Sequence, residues 1–476
     1  MILANILNKG TNYIAAGFTH GEGNTFSVLN KHTGSVLAQI DYCSAQQIDE
    51  ASEFALQFFE TSRAYSFKQK YFLIEEFVKQ LDIHQALLAD CIELETGKSP
   101  EYAKNEVERA ILNGKFAMAF CMQNHGENVN MDFGNSPHSY AMVKRFPTGP
   151  VLAFSPFNFP LNLALHKIFP AWVAGAPVVL KPSPKTPLSA LVLAHLFTQI
   201  KDFETYKGML QVLHCSNQDA ALLVKHKAYP IFSFTGSHSV GFNLKTTVPH
   251  KKVLLELGGN AAAIVHHDIE NLQEVVQKLI VGSFLYGGQI CISTQRIYIH
   301  QSIEEEFKRL FALATNKYNS QNTQVLIDQE SKDRIKSIIQ ESTAKEAKIL
   351  AGGLDKENTT PFLQATVIDN PPIDCACVTD EVFGPLVSVF SYTHFEEALQ
   401  QVNQSKFGLQ TGVFTKNIGL IKLAFEKLEV GAVIANNVPG YRVDNMPYGG
   451  IKLSGIGREG IAYAYQEFTE PKLLVW

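Results

Sequence analysis

Between residues 46 and 118 the apolar positions Phe72, Ile74, Phe77, Val78 and Leu81 recur at helical spacing. Gly97-Lys98-Ser99-Pro100 breaks that pattern, and a further helix is expected beyond it. From 150 to 265 the texture changes to short apolar runs: Val151–Phe154, Pro177–Leu180, Leu210–Leu213, Ile231–Phe234, Val253–Leu255 and Ala261–Val265. Such runs, alternating with helical stretches, predict a parallel sheet covered by helices on both faces. Residues 270–440 repeat the texture around Arg296–Ile299, Leu386–Phe390, Gly412–Phe414 and Ala432–Ile434, which predicts a second α/β domain. Lys472–Trp476 reads as a short apolar strand with no following partner. It must be covered, either by another subunit or as an edge strand within the chain.

Length and composition narrow the class. At 476 residues the chain has room for roughly three domains of ~150 residues. An apolar fraction of 46% with 18% charged residues is that of a soluble globular protein. The net charge of -5, with no Lys/Arg-rich run, leaves no footprint for nucleic acid. No apolar window approaches the ~20 residues of a membrane span, and the N-terminus lacks the pattern of a secretory signal. Seven scattered cysteines, an odd and low number, point to free thiols in a reducing compartment, so a cytoplasmic protein is expected. Cys375-Ala376-Cys377 has the wrong spacing for a metal pair, and His266-His267 has no further ligands at metal spacing; no metal is expected.

Two short runs carry the candidate chemistry. Gly287-Gly288-Gln289-Ile290-Cys291 offers a thiol on a glycine-loosened turn, and Glu256-Leu257-Gly258-Gly259-Asn260 offers a carboxylate able to serve as base for the thiol or for a water. Ile231–Gly241 reads as strand, glycine turn and helix start, where backbone N–H groups favour a phosphate; Gly236 and Gly241 stand in it, but the three-glycine dinucleotide fingerprint is absent. A plain strand-to-helix turn accounts for the same residues. Val178–Ser183 places Lys181 at the carboxyl end of a strand, the edge where open α/β sheets bind ligands. In Ser155–Pro160, Pro160 suits the first turn of a helix running to about Ala174, with Asn158 near its cap or as an oxyanion donor. Asn162 and His166 then share a face with Asn158, as a pocket wall or as a wet helix surface.

Seven motifs, in order, resemble the NAD(P)-dependent aldehyde dehydrogenase superfamily over essentially the full length: PFNFP (156–160), LKPS (180–183), FTGSHSVG (234–241), ELGGN (256–260), GGQIC (287–291), EVFGP (381–385) and MPYGGIKLSGIGREG (446–460). The resemblance implies an α/β fold with a Rossmann-type cofactor domain (1–124 and 148–258), an α/β catalytic domain (259–455) and a small β oligomerisation arm (125–147 and 466–476). It implies Cys291 as nucleophile, Asn158 with the Cys291 N–H as oxyanion hole, and Glu256 as the base that activates water. Lys181, Ser183, Gly236, Ser237, Gly241, Glu381 and Phe383 then hold NAD or NADP, while Phe159, Asn162, His166 and Arg442 line the substrate pocket. A homodimer or homotetramer follows from the family's habit.

Where NAD-preferring relatives often carry Glu, three residues after the motif lysine, this chain has Pro184 followed by Lys185. Loss of that carboxylate removes repulsion of a 2′-phosphate, so NADP is expected to be accepted. Arg442, Asn162 and His166 imply a polar pocket for a small hydroxylated or anionic aldehyde of the lactaldehyde, glyceraldehyde or semialdehyde type; Arg442 as a structural ion-pair partner is the alternative. Two other functions compete. A CoA-acylating enzyme generally lacks the Glu256 base, and a non-enzymatic relative is at odds with retention of Asn158, Glu256, Cys291 and Glu381 together.

Overall fold

The computed structural model describes residues 2–123, 125–133, 140–322, 325–354 and 362–476. Five of the six apolar runs expected in 150–265 become the centre of an eight-stranded sheet, while Ala261–Val265 goes instead to a second sheet. Leu210–Val212, Val178–Lys181, Val151–Phe154, Ile231–Thr235 and Lys252–Glu256 lie side by side in that order, all parallel. Val151–Phe154 and Val178–Lys181 are buried at every position, which is why they read as continuous apolar runs instead of alternating ones. From Val151–Phe154 the chain adds strands first to one side and then to the other. That reversal opens a crevice beyond the carboxyl ends of Val151–Phe154 and Ile231–Thr235, where open α/β sheets take ligands.

A second sheet of seven strands is built the same way from Ala261–Val265, Thr294–His300, Leu386–Tyr392, Thr366–Asp369, Gln410–Phe414 and Ala432–Ala435, with Lys348–Ala351 antiparallel at one edge. Its reversal lies at Ala261–Val265, which pairs with Thr294–His300 on one side and Gln410–Phe414 on the other. Four helices, Ala45–Ser62, Phe67–Ile83, Gln85–Thr96 and Pro100–Cys121, fill the stretch expected to be helical. Ser44 and Ser66 close capping boxes with Gln47 and Gln69, and Gly97 ends the third helix in the left-handed conformation.

Several expectations need correction. Phe72 is exposed, and Leu73 takes its place in the core beside Ile74, Phe77, Val78 and Leu81. The helix after Pro160 starts at Asn162, and Asn158 does not cap it. Pro170 sits within it, and its buried residues run round every face because strands and helices enclose it. Short strands between Asn12 and Asp41 were not expected; they are partly exposed hairpins without long apolar runs. The terminal strand is longer than expected, Thr469–Val475, and pairs antiparallel with Ala141–Pro147 of the same chain.

Candidate active site

Glycines bring the Cys291 turn into place. Tyr286, Gly287 and Gly288 all adopt positive φ, and a Cβ on Gly288 would collide with the Gly384 carbonyl. A Cβ on Gly259 would lie 2.5 Å from the Cys291 carbonyl oxygen, so the ELGGN and GGQIC loops pack backbone to backbone. Cys291 is half-buried, and its Sγ lies 2.8 Å from the Tyr448 hydroxyl. Burial pushes the thiol up to about 12, and the Tyr448 hydrogen bond and the Arg442 charge work against that rise.

Asn158 is buried and donates Nδ2–H to the Gln289 carbonyl at 2.9 Å. That bond fixes the amide beside the cysteine turn and leaves its second N–H for a developing oxyanion. Glu256 ends its strand almost fully buried, and both carboxylate oxygens lack a protein partner. Burial first, and then the Glu459 charge, hold its pKa well above the usual carboxylate range, while Arg442, Lys167 and Arg458 oppose them. Glu459 goes the other way. Burial disfavours its charge, yet Lys167 (3.0 Å), His166 and Arg442 hold it down to about 2. Two neighbouring carboxyls with pKa values pushed apart are the usual signature of divided acid–base roles.

Two cavities meet at this group. One, of about 270 Å³, is lined by Tyr102, Asn105, Arg109, Phe159, Asn162 and Arg442 among others. The other, of about 500 Å³, occupies the crevice of the eight-stranded sheet and takes in Lys181, Ser183, Gly236, Ser237, Glu381 and Phe383. Asn158, Glu256 and Cys291 line both.

The larger cavity has the features a dinucleotide needs. Lys181 is nearly buried, 5.3 Å from the Phe154 ring, and burial lowers its pKa. Ser237 caps the helix His238–Thr247 without spending its side chain on the first turn, which leaves those N–H groups for a phosphate. The buried Ser155 and Thr235 hydroxyls have no protein partner. Gly241 is buried, and a Cβ there would meet Leu257 at 2.6 Å, so it serves helix packing behind the crevice. Glu381 receives the Gly259 N–H at 3.0 Å, and Gly258 leaves the space its carboxyl fills. Burial, partly offset by that bond and by Arg334, pushes Glu381 up to about 7.

The predicted substrate residues separate. Phe159 and Asn162 line the smaller cavity, but His166 does not; it is buried behind it, 2.9 Å from Asp444. Arg442 lines the cavity and is also an ion-pair partner, 3.4 Å from Glu459, with its guanidinium 3.6 Å from the centre of the Tyr448 ring. Its Nε is buried and makes no hydrogen bond, with Asp444 3.9 Å away. Asp444 is the hub that sequence reading missed, accepting a bidentate fork from Arg109 (2.7 and 3.0 Å) besides Asn162 and His166. Lys167 was also missed; a lysine inside the apolar run 163–174 is a sequence sign of a buried ion pair. Away from this site, the fold brings His300 to His266 and His267, a neighbour that spacing along the chain did not reveal.

A dinucleotide crevice that meets a small polar cavity is the arrangement of an NAD(P)-dependent oxidoreductase. The Aldehyde dehydrogenase family profile matches residues 18–474, and the chain belongs to that family. It is 34% identical to a 3-sulfolactaldehyde dehydrogenase of Priestia megaterium over 96% of this chain and 97% of that one. It is 32% identical to a lactaldehyde dehydrogenase of Methanococcus aeolicus over 94% and 96%. Among solved structures, aldehyde dehydrogenase 21 of Physcomitrella patens, in complex with the product succinate, superposes with a TM-score of 0.93 at 35% identity, covering 98% of each chain. The protein is an aldehyde dehydrogenase and uses NAD(P). Among the described residues no helix is long and apolar enough to cross a membrane.

Proposed function

We propose that the enzyme oxidises a small anionic or hydroxylated aldehyde to its acid, with Cys291, Asn158 and Glu256 in separate roles. The observation that carries this is the position of all three on the wall shared by the two cavities. The Cys291 thiolate adds to the aldehyde carbon, and the free Asn158 N–H stabilises the resulting alkoxide. Bound NAD(P) supplies the acceptor for the hydride that leaves this hemithioacetal. Glu256 then takes a proton from water, the water oxygen adds to the thioester carbon, and the acid leaves as the thiolate reforms. Glu256 supports water over CoA as the attacking group.

The substrate class rests on charge in the smaller cavity. Lys98 is bound to Glu106 at 2.5 Å, but Arg109 is one-third exposed, and the Arg442 Nε makes no hydrogen bond, its nearest acid Asp444 lying 3.9 Å away. These two arginines would receive a carboxylate or sulfonate at the far end of a short chain. The 3-sulfolactaldehyde and lactaldehyde dehydrogenases among its relatives support a polar group of this kind. A panel of lactaldehyde, glyceraldehyde, succinic semialdehyde and an anionic sulfoaldehyde, against neutral aldehydes of equal length, tests it. Arg109→Ala and Arg442→Lys should each reduce kcat/KM for the anionic members about tenfold more than for the neutral ones. Equal losses on both classes would leave the arginines a purely structural role.

Both NAD and NADP are accepted in this reading. Lys185 lines the cofactor cavity beside Pro184, where it could draw a 2′-phosphate, but Asp328 holds it at 2.5 Å. We assign residues 1–124 and 148–258 to cofactor binding, 259–455 to catalysis, and 125–147 with 466–476 to an oligomerisation arm. The exposed Leu473, Leu474, Val475 and Trp476 support a homodimer or homotetramer, and seven free thiols support a cytoplasmic setting.

A further inference from the structure

Beyond the carboxyl ends of the paired strands Ala261–Val265 and Thr294–His300 stands a group of histidines outside the proposed catalytic site; Cys291 precedes the latter strand at its other end. A seven-residue strand spans roughly 20 Å, so the two ends are chemically independent. His266 and His267 leave the first strand and His300 ends the second. One ligand atom from each lies within 4.8 Å of the others. Ring centroids are 4.2 Å apart for His266 and His267, 4.5 Å for His267 and His300, and 5.1 Å for His266 and His300.

We infer that His266, His267 and His300 form a binding site for one borderline divalent transition cation such as Zn²⁺, remote from the catalytic centre. Three imidazoles with a water in the fourth position suit Zn²⁺, Co²⁺, Ni²⁺ or Cu²⁺, whereas Mg²⁺ and Ca²⁺ want oxygen ligands. Neighbours orient the His266 ring. Its Nδ1 donates to the Tyr392 hydroxyl at 3.0 Å, whose own proton goes to the Val265 carbonyl, so Nε2 is left to face a metal in the habit of metal-binding histidines. The His300 Nδ1 lies 2.8 Å from the Ser302 hydroxyl and accepts the Ser302 N–H at 3.2 Å, and the ring also reaches the Thr393 backbone. Ligation by His300 therefore moves its ring proton to Nδ1 and displaces the Thr393 bond. Tetrahedral ligands at ~2.0 Å stand roughly 3.3 Å apart, so the site must close by a rotation of the exposed His267 ring.

The charges around the cluster fit a cation that binds neutral rings. Asp268 follows on the same segment, anchored by the Thr415 hydroxyl and the Asn417 N–H, and its charge favours a cation there. Facing His300 are His394 and, on the same turn, Glu397, which accepts the Thr393 and His394 N–H groups. Burial and the neighbouring histidines lower the pKa values of His266 and His300, so both are neutral ligands at neutral pH.

The test uses the full chain carrying Cys291→Ser, so that the catalytic thiol does not compete for metal. Zn²⁺ is followed by equilibrium dialysis at equal protein and metal concentrations, and Co²⁺ by its visible absorption. The expected result is one Zn²⁺ per chain at pH 7.5, a tetrahedral Co²⁺ band, and no competition from excess Mg²⁺. His267→Ala, at an exposed position, and His300→Ala should each weaken binding at least ~10-fold, and Tyr392→Phe about tenfold. Absence of retained Zn²⁺, or stoichiometry and affinity unchanged in both histidine variants, would overturn the site.

Discussion

The Tyr448 hydroxyl lies 2.8 Å from the Cys291 sulfur, and the Arg442 guanidinium stacks on the same ring, 3.6 Å from its centre. An O–H donor and a nearby cation both favour a thiolate in a site where burial disfavours one. Tyr448→Phe removes the donor and keeps the ring for Arg442. Its thiol pKa should rise by about one unit, so alkylation of Cys291 by iodoacetamide at pH 7.5 should slow about tenfold. An unchanged alkylation rate with normal folding would show that the hydroxyl does not tune the thiol.

Glu256 must be ionised to act as a base, and burial together with Glu459 keeps it protonated well above the usual carboxylate range. Thioester hydrolysis should therefore quicken as pH rises through that raised value. Glu459→Gln removes one cause and should move the acid limb to lower pH; single-turnover acid release across pH checks this. A limb that stayed in place would assign it to another group.

The same shift has a consequence for stability. The unfolded chain releases the Glu256 proton near 4.5, while the folded protein retains it to higher pH. The native state therefore binds more protons in that window, and stability falls as pH rises through it. Glu256→Gln removes this cost, so it should raise the melting temperature more at pH 8 than at pH 5. Equal changes at the two pH values would contradict the raised pKa.

Lys185 lines the cofactor cavity and pairs with Asp328 at 2.5 Å. Lys185→Ala should raise KM for NADP roughly fivefold, about 1 kcal/mol for a partly exposed charge, with little change for NAD. Asp328→Asn should lower KM for NADP. Parallel changes for both cofactors would remove Lys185 from 2′-phosphate recognition.

Much of the architecture was legible because strands buried on both faces leave unbroken apolar runs: Val151–Phe154 and Ala261–Val265 have the expected bounds. The hairpins before Asp41 left no such trace, since Thr25–Leu29 has only Val28 fully buried. The motifs named Asn158, Glu256 and Cys291, the three residues that line both cavities. Their surroundings were not legible, because Tyr448 reaches Cys291 across 157 positions of sequence and Arg109 reaches Asp444 across 335. Contacts at that separation are set by the packing of two sheets and leave no local pattern. His166 shows the converse limit: helical periodicity put it on the face of Asn162, but the Asp444 loop covers it.

In the proposed reaction Cys291 carries the acyl group and Glu256 releases it through water. A stopped-flow measurement on Glu256→Gln, with saturating aldehyde and NAD(P), separates the two roles. Expected is a burst of one reduced cofactor per active site, followed by turnover slowed at least ~100-fold, with no burst in Cys291→Ser. A Glu256→Gln enzyme that turned over at the wild-type steady-state rate would contradict these roles.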